Sequence, residues 1–403
     1  LRILYLHQHF STPEGSTATR SFHHARALVE AGHHLTLACG RYAGAVTGVA
    51  GAFRRGRREG MVRGFRVVEF DIPCGNAQPL RARAGAFLRY AAAATRLATS
   101  GGWDLILASS TPLTVAIPAL AARHLRGTPF LFEIRDPWPE LPRALAAEGG
   151  IPRPALAAMA RLANAACRRA AGVIALTEGI AETAIARGAD AARVAVLPQG
   201  ADLSLFSPHA APWRPPGTDN AILAVYAGAA GRANGLDTLL DAAAHLRDSS
   251  VHIVLAGEGS ETPRLQARAT AEHLPVSFLN PMPKPRLAGL LAGADIGLLV
   301  LAPVPDFAEW TAPNKLVEGL AAGLPMVVNV PGRATRLIGM HGCGLAVPPG
   351  DASALAAALR TLADDSARRA AMSRAARALA EREFDTRAIA ARLVTLAEAA
   401  VRR

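Results

Sequence analysis

The 403-residue chain has little lysine, cysteine or aromatic residue, and each shortage narrows what the protein can be. Lys284 and Lys315 are the two lysines among 44 basic residues. Arginine supplies bare positive charge everywhere else. A lysine kept beside a helix start therefore suggests a task for a compact ammonium. The four cysteines, Cys39, Cys74, Cys167 and Cys343, are widely spaced, and no CxxC or Cys/His metal spacing occurs. They read as reduced, structural residues, which suits a cytoplasmic protein. Aromatics are 5% of the chain, and the arginines form no long run beyond a local excess at Arg54–Arg58. That combination does not make a stacking platform, so nucleic acid is not an expected partner. No apolar run reaches the roughly 18 residues of a spanning helix. Strand-like residues begin at once, so no signal peptide is expected.

What is abundant points to a folded, basic protein. Hydrophobic residues make up 51% and charged residues 19%, the balance of a globular chain. The length favours two domains, each with its own core. A formal charge of +12 favours phosphorylated small molecules or an anionic membrane surface.

Short apolar runs alternate with helical periods, which predicts parallel sheets covered by helices. Strands are expected at Arg2–Leu6, His34–Ala38, Phe65–Phe70, Leu105–Ala108, Phe130–Ile134, Gly172–Leu176 and Val194–Leu197. The Pro-rich stretch 207–220 lacks periodicity and reads as a linker. Alternation restarts with Ala221–Tyr226, Val251–Leu255, Val276–Phe278, Ile296–Val300 and Met326–Val328. The expected domains are 1–206, on the acceptor side, and 221–380, on the donor side. A terminal helix, 381–403, is expected to pack back on the first domain. Two such α/β units are two Rossmann-like domains. Their ligands should lie beyond the carboxyl ends of the strands, in a cleft between the domains.

One segment carries chemistry in its spacing. In Thr311-Ala-Pro-Asn-Lys-Leu-Val-Glu318, Pro313 suits a helix start, and Lys315 and Glu318 share a face. Leu316 and Leu320 face elsewhere, and Gly323 ends the helix. A helix N-terminus beside a lysine and a carboxylate can hold a phosphate and a sugar hydroxyl together. The same residues also fit an amphipathic helix with an exposed Lys–Glu pair.

The segments from Asp306 to Pro325, Leu197 to Pro208 and Ala256 to Gly259 resemble the signatures of GT-B glycosyltransferases, in particular the retaining family 4. His7–Ser16 and Arg135–Glu140 narrow the likeness to a branch, of the WbuB type, that adds amino-deoxy sugars to lipid-linked glycans. The resemblance implies an α/β GT-B fold and a metal-independent hexosyltransferase-type enzyme of class EC 2.4. Its co-substrate would be a nucleotide diphosphate sugar, UDP-linked, with no cofactor and no metal. The acceptor would be lipid-linked or otherwise saccharide. A cytoplasmic location is expected, with peripheral contact at the inner face of the cytoplasmic membrane as an option. Alternatives are a transferase with a soluble secondary-metabolite acceptor, a nucleotide-sugar 2-epimerase, and a non-catalytic sugar-nucleotide-binding subunit.

The resemblance also distributes roles. Lys315, with backbone N–H groups near Ala312 to Leu316, would stabilise the departing diphosphate; Pro313, Asn314 and Leu316 would line the same donor site, and Arg232 beside Gly231 would assist or be a solvated loop arginine. Electrostatic help to the leaving group should be the largest catalytic contribution. Glu318 would accept from the ribose hydroxyls, which suits a carboxylate. Gly15 and Ser16 would approach the diphosphate, or form a plain turn with a Ser or Thr helix cap. Gly257, Glu258 and Phe278 would line the donor site, with Glu258 alternatively only a turn residue. Asp136 would act as a catalytic or sugar-contacting group, with Arg135, His7 and His9 beside it. Alternatively, Arg135 and Asp136 are a structural pair. Arg81 and Arg83, in a mixed apolar and basic helix, would face the acceptor or an anionic membrane. Two departures stand out. Trp310 occupies the position of the family's first glutamate, with Glu309 one place off: either Glu309 substitutes in the donor site or that sugar contact is lost, and Trp310 would pack on an apolar face of the donor sugar. Ala229 and Asn234 stand where many relatives carry an Arg/Lys pair.

Overall fold

The computed structural model describes residues 1–75, 78–145, 151–304 and 307–402. It divides into two compact units. Unit 1 comprises the described residues of Leu1–Pro198, Glu309–Ala312 and Arg387–Arg403; unit 2 comprises Gln199–Ala308 and Pro313–Thr386. The stretch 207–220 is thus counted with unit 2. Asp306, the first residue of the donor-type signature, lies outside the described residues.

Unit 1 is built on eight strands: β1 (Arg2–Leu6), β2 (His34–Tyr42), β3 (Arg57–Val62), β4 (Phe65–Cys74), β5 (Leu105–Ser109), β6 (Phe130–Ile134), β7 (Gly172–Ala175) and β8 (Val194–Val196). Their order is β3-β4-β2-β1-β5-β6-β7-β8. All pairings are parallel except β3 with β4. β3 was missed at the sequence level. Arg57-Arg-Glu-Gly-Met-Val is an edge strand in which only Val62 is buried, so neither face carries an apolar row. β1 shows why the rest was readable. Leu4 and Leu6 join the core on one face of the sheet, while Ile3 and Tyr5 join the core on the other. A strand covered on both faces is apolar at every position. The closing helix Thr386–Val401 places Ile389, Leu393, Ala397 and Ala400 in the same core as Ile3 and Tyr5. That spacing is one helical stripe.

Unit 2 carries β9 (Ile222–Ala227), β10 (Val251–Ala256), β11 (Val276–Leu279), β12 (Ile296–Leu299), β13 (Met326–Val328) and β14 (Gly344–Ala346). The order is β11-β10-β9-β12-β13-β14, parallel throughout. In each sheet the chain runs outward from the first strand, then returns to its other side. These switch points, β1/β5 and β9/β12, open a crevice at the carboxyl ends of the strands.

Candidate functional site

Tyr226 lies near the end of β9, and the helix Asn314–Ala321 follows β12. The β9/β12 switch point therefore brings Tyr226 and Lys315 together. Lys315 Nζ donates to Tyr226 Oη at 2.8 Å and lies 3.3 Å from Asn234 Oδ1. Tyr226 Oη in turn donates to Asn234 Oδ1 at 2.8 Å. The ammonium also stands 4.3 Å from the Tyr226 ring centroid, a cation–π contact. Gly228 leaves room for it: a Cβ there would sit 2.8 Å from Lys315 Cε. Desolvation lowers the Lys315 pKa to about 7, opposed by the charge of Glu318. A lysine so placed exchanges its proton near neutral pH.

Glu318 is not an exposed partner of Lys315. It is buried, and it accepts from the other lysine, Lys284, at 2.5 Å. Both lysines of the chain thus act on one carboxylate, one by direct contact and one through its field. Pro313 caps the helix from the extended region rather than entering it, and Leu316 is buried. The first N–H groups of the helix have no intrahelical acceptor, so the Asn314 end is electropositive.

The glycine turns make close backbone approaches. A Cβ on Gly257 would lie 2.1 Å from the Gly228 carbonyl oxygen, and one on Gly259 would lie 2.3 Å from that of Ala230. These approaches let Ala230 N–H donate to the Glu258 carbonyl at 3.0 Å. Glu258 itself is exposed. Phe278 packs against the core of unit 2. Gly231 caps a short turn whose Arg232 side chain is 92% exposed, with a 3.7 Å contact to Glu261. The structure does not bring Arg232 to the Lys315 cluster. Asn234, noted as a departure, is what touches Lys315 instead. Glu309 and Trp310 group with unit 1. Thr177 Oγ1 donates to the Glu309 carbonyl at 2.8 Å, and Trp310 packs against that unit's core.

In unit 1 the β1/β5 switch point gathers a second cluster. His7 is buried, with Nδ1 2.8 Å from Ser21 Oγ and Nε2 accepting from Arg135 Nη1 at 2.9 Å. Burial and the Arg135 charge hold His7 well below the usual histidine range. His9 is lowered to about 3 by burial, then by Arg135 and Arg83. Its ring lies 4.1 Å from that of Tyr42. Asp136 accepts from Thr111 Oγ1 at 2.7 Å, and among the described residues Arg135 makes no ion pair with it and bonds to His7 instead. The Arg135–Asp136 structural pair is therefore not what forms. Beneath lies Glu133, fully buried, which accepts from Arg20 Nε at 2.9 Å and from Ser109. Desolvation raises its pKa, but Arg20 and its other partners prevail and hold it at about 2. Gly15 is packed against Ser11, and Ser16 Oγ donates to the Gly44 carbonyl at 3.1 Å. Thr19 caps the following helix without a side-chain hydrogen bond. Arg81 is exposed on the helix Leu80–Ser100, and Arg83 is half-buried.

Sequence reading missed Lys284, Tyr226, Asn234, Arg20 and Glu133 as parts of these clusters. Lys284 carried a signal, being the other lysine. The rest are separated along the chain and are joined only by the sheets. Among the described residues no group of three or more His, Cys, Asp or Glu side chains is placed to hold a metal ion. None of their helices is long and apolar enough to cross a membrane.

Residues 221–365 match the family model described as Glycosyl transferases group 1, and residues 15–200 match the Glycosyl transferase 4-like domain. The D-inositol 3-phosphate glycosyltransferase of Kribbella flavida is 32% identical over 206 residues, 47% of each chain. That of Pseudarthrobacter chlorophenolicus is 34% identical over 201 residues, 47% of this chain and 46% of its own. The chain thus spans about half the length of the curated relatives it matches. Sucrose-phosphate synthase from Thermosynechococcus elongatus superposes with a TM-score of 0.76 at 19% identity, covering 98% of both chains. HepE of Anabaena, solved with UDP and glucose, gives 0.69 at 21% identity, again over 98% of both. With a largely parallel α/β sheet in each of two units the chain has the GT-B fold, and each half carries one of these glycosyltransferase domains.

Proposed function

We propose that the protein transfers a sugar from a nucleotide diphosphate donor, UDP-linked, to a lipid-linked or cell-envelope glycan acceptor, with retention and without a metal. The observation that carries this reading is Lys315, enclosed by Tyr226 and Asn234 at the electropositive end of a helix. A departing diphosphate gathers negative charge. An ammonium positioned before the reaction stabilises that charge without reorganisation. Glu318, held by Lys284 on one oxygen, keeps its other oxygen for a ribose hydroxyl. UDP as the nucleotide is supported by the UDP complexes of the structural neighbours. Lys315 and the helix N-terminus supply the positive charge that a metal gives elsewhere. On the helix Leu80–Ser100, Leu80 and Leu88 are 61% and 59% exposed beside exposed Arg81 and Arg89. Apolar and basic residues on one exposed stretch support peripheral contact with anionic lipid.

A thermal-shift screen against UDP, GDP and their sugars tests the donor site. Ligands of the folded state raise its apparent stability. UDP should raise the melting temperature equally with and without EDTA, and Lys315→Ala should lose most of the shift. No shift with any nucleotide would sink the reading.

A further inference from the structure

The helix Asn314–Ala321 turns its free N–H groups toward the Lys315 end, and its last four carbonyls need partners at the other. Three are met by the turn that follows. Ala322 N–H donates to the Glu318 carbonyl at 3.0 Å, Leu324 N–H to that of Gly319 at 2.9 Å, and Gly323 N–H to that of Leu320 at 3.0 Å. The fourth, Ala321, accepts from a distant side chain, Arg377 Nη1, at 2.7 Å. A cation at a helix C-terminus also complements the helix dipole.

Arg377 ties this helix end to a second segment of unit 2. The same nitrogen donates to the Phe206 carbonyl at 2.9 Å and lies 3.4 Å from that of Leu203, while Nε donates to Glu381 at 2.7 Å. Phe206 meets the helix again through its side chain. Its buried ring lies 5.9 Å from the ammonium of Lys284, which donates to Glu318. Pro208 packs on the turn after the helix: a Cβ on Gly323 would lie 3.3 Å from Pro208 Cγ. The segment 203–208 therefore holds the helix at Glu318, at Ala321 and at Gly323. The chain just before it is fixed in turn, since Ala201 N–H donates to the Phe384 carbonyl at 2.8 Å and the Ala201 carbonyl accepts from Thr386 N–H at 3.1 Å.

We infer that Arg377 is a positioning residue of the donor site, which braces the helix carrying Lys315 and Glu318 against the segment 203–208. Ala321 lies roughly 9 Å along the helix axis from Lys315, so Arg377 acts through the helix and not on the ligand. An ammonium stabilises a departing diphosphate only where it is already in place, and a helix free to shift binds with the fraction of molecules that hold the right position. The inference deepens the donor part of the proposed function and rests on it.

Calorimetric titration with UDP and hydrogen exchange, both on the full chain, test it with Arg377→Met, Arg377→Lys and a matched control, Arg369→Met. Arg369 Nη1 donates to the Leu362 and Ala363 carbonyls at the end of the helix Ala352–Asp364, so its loss uncaps a different helix of unit 2. Arg377→Met should bind UDP about tenfold more weakly and exchange its amides over 314–321 about tenfold faster, the factor one charge-assisted hydrogen bond supplies. Arg377→Lys keeps a charged donor and should return UDP affinity to within about threefold of the parent protein. Arg369→Met should stay within about twofold. Unchanged UDP affinity in Arg377→Met overturns the inference, as does an equal loss in Arg369→Met or no recovery with lysine. Failure of the parent protein to bind UDP is a failure of the donor reading. Exchange over 314–321 then decides the brace, upheld if Arg377→Met alone speeds it and overturned if the two methionine variants match.

Discussion

Lys315 is the residue whose chemistry depends most on its surroundings. In the unfolded chain it keeps its proton to about pH 10. In the fold, desolvation brings it to about 7. A depressed lysine pKa means that the folded state binds fewer protons between those values. Stability therefore rises with pH across that window. A diphosphate favours the ammonium, so its binding should take up a proton. We expect UDP titrations at pH 7.5 in buffers of different ionisation enthalpy to show net proton uptake, and the affinity to fall from pH 6 to pH 8. Titrations independent of both buffer and pH would refute the role of the ammonium. Tyr226→Phe removes one hydrogen bond to Nζ but keeps the ring, so UDP should bind roughly five- to tenfold more weakly with little loss of fold. The position of Lys315 was legible in the sequence. Its partners were not, because Tyr226 and Asn234 lie more than eighty residues away in the chain and reach it only through the β9/β12 crossing.

At the scale of elements, the loops after β9 and β10 and the helices beginning at Lys284 and Asn314 decide the geometry. Gly257 has φ +141° and faces the Gly228 carbonyl at a distance no Cβ tolerates. Gly257→Ala should cost about 2 kcal/mol or more and displace the β9 loop that shelters Lys315. A urea denaturation midpoint unchanged from the parent protein would contradict this. Lys284 and Glu318 form a buried pair, 5% and 6% exposed. Removing one partner of such a pair typically costs roughly 3–5 kcal/mol. For Lys284→Met we expect the lower end, since Lys315 still offsets the Glu318 charge, together with weakened UDP binding. A methionine variant with unchanged melting temperature and UDP affinity would show that Lys284 is only a surface-like lysine. The same level explains Arg232. Sequence spacing put a cation in the right loop, but the 3₁₀ turn Arg232–Asn234 directs Asn234 to Lys315 and leaves the Arg232 side chain in solvent.

Across the whole molecule, several of the deeply buried titratable groups lie in unit 1. His24 is lowered to about 3 and His7 well below its ordinary value, both chiefly by burial. Glu133 is held at about 2, where Arg20 and the surrounding cations outweigh desolvation. For a histidine with a lowered pKa, the unfolded state binds the proton first, so stability present above pH 6.5 is lost as pH falls toward 3. For Glu133, stability present above its ordinary value of 4.5 is lost as pH falls toward 2. Both act in the same direction. Hydrogen exchange followed by peptide mass should show unit 1 opening on acidification before unit 2, beginning below pH 6.5 in β1, β5 and β6. Simultaneous opening of both units would argue against this account.

The sequence by itself determined the class of fold. Strands covered on both faces are apolar at every position, helices show a stripe, and both signals are local and survive without neighbours, as β1 and Thr386–Val401 illustrate. It also singled out Lys315 and Glu318, because a rare residue type at a helix start is visible in one dimension. The tertiary structure decided what these residues touch. Lys284 reaches Glu318 across 34 positions, Arg20 reaches Glu133 across 113, and Arg135 reaches His7 across 128. Such contacts are set by which strands lie side by side, and strand order carries no local signal.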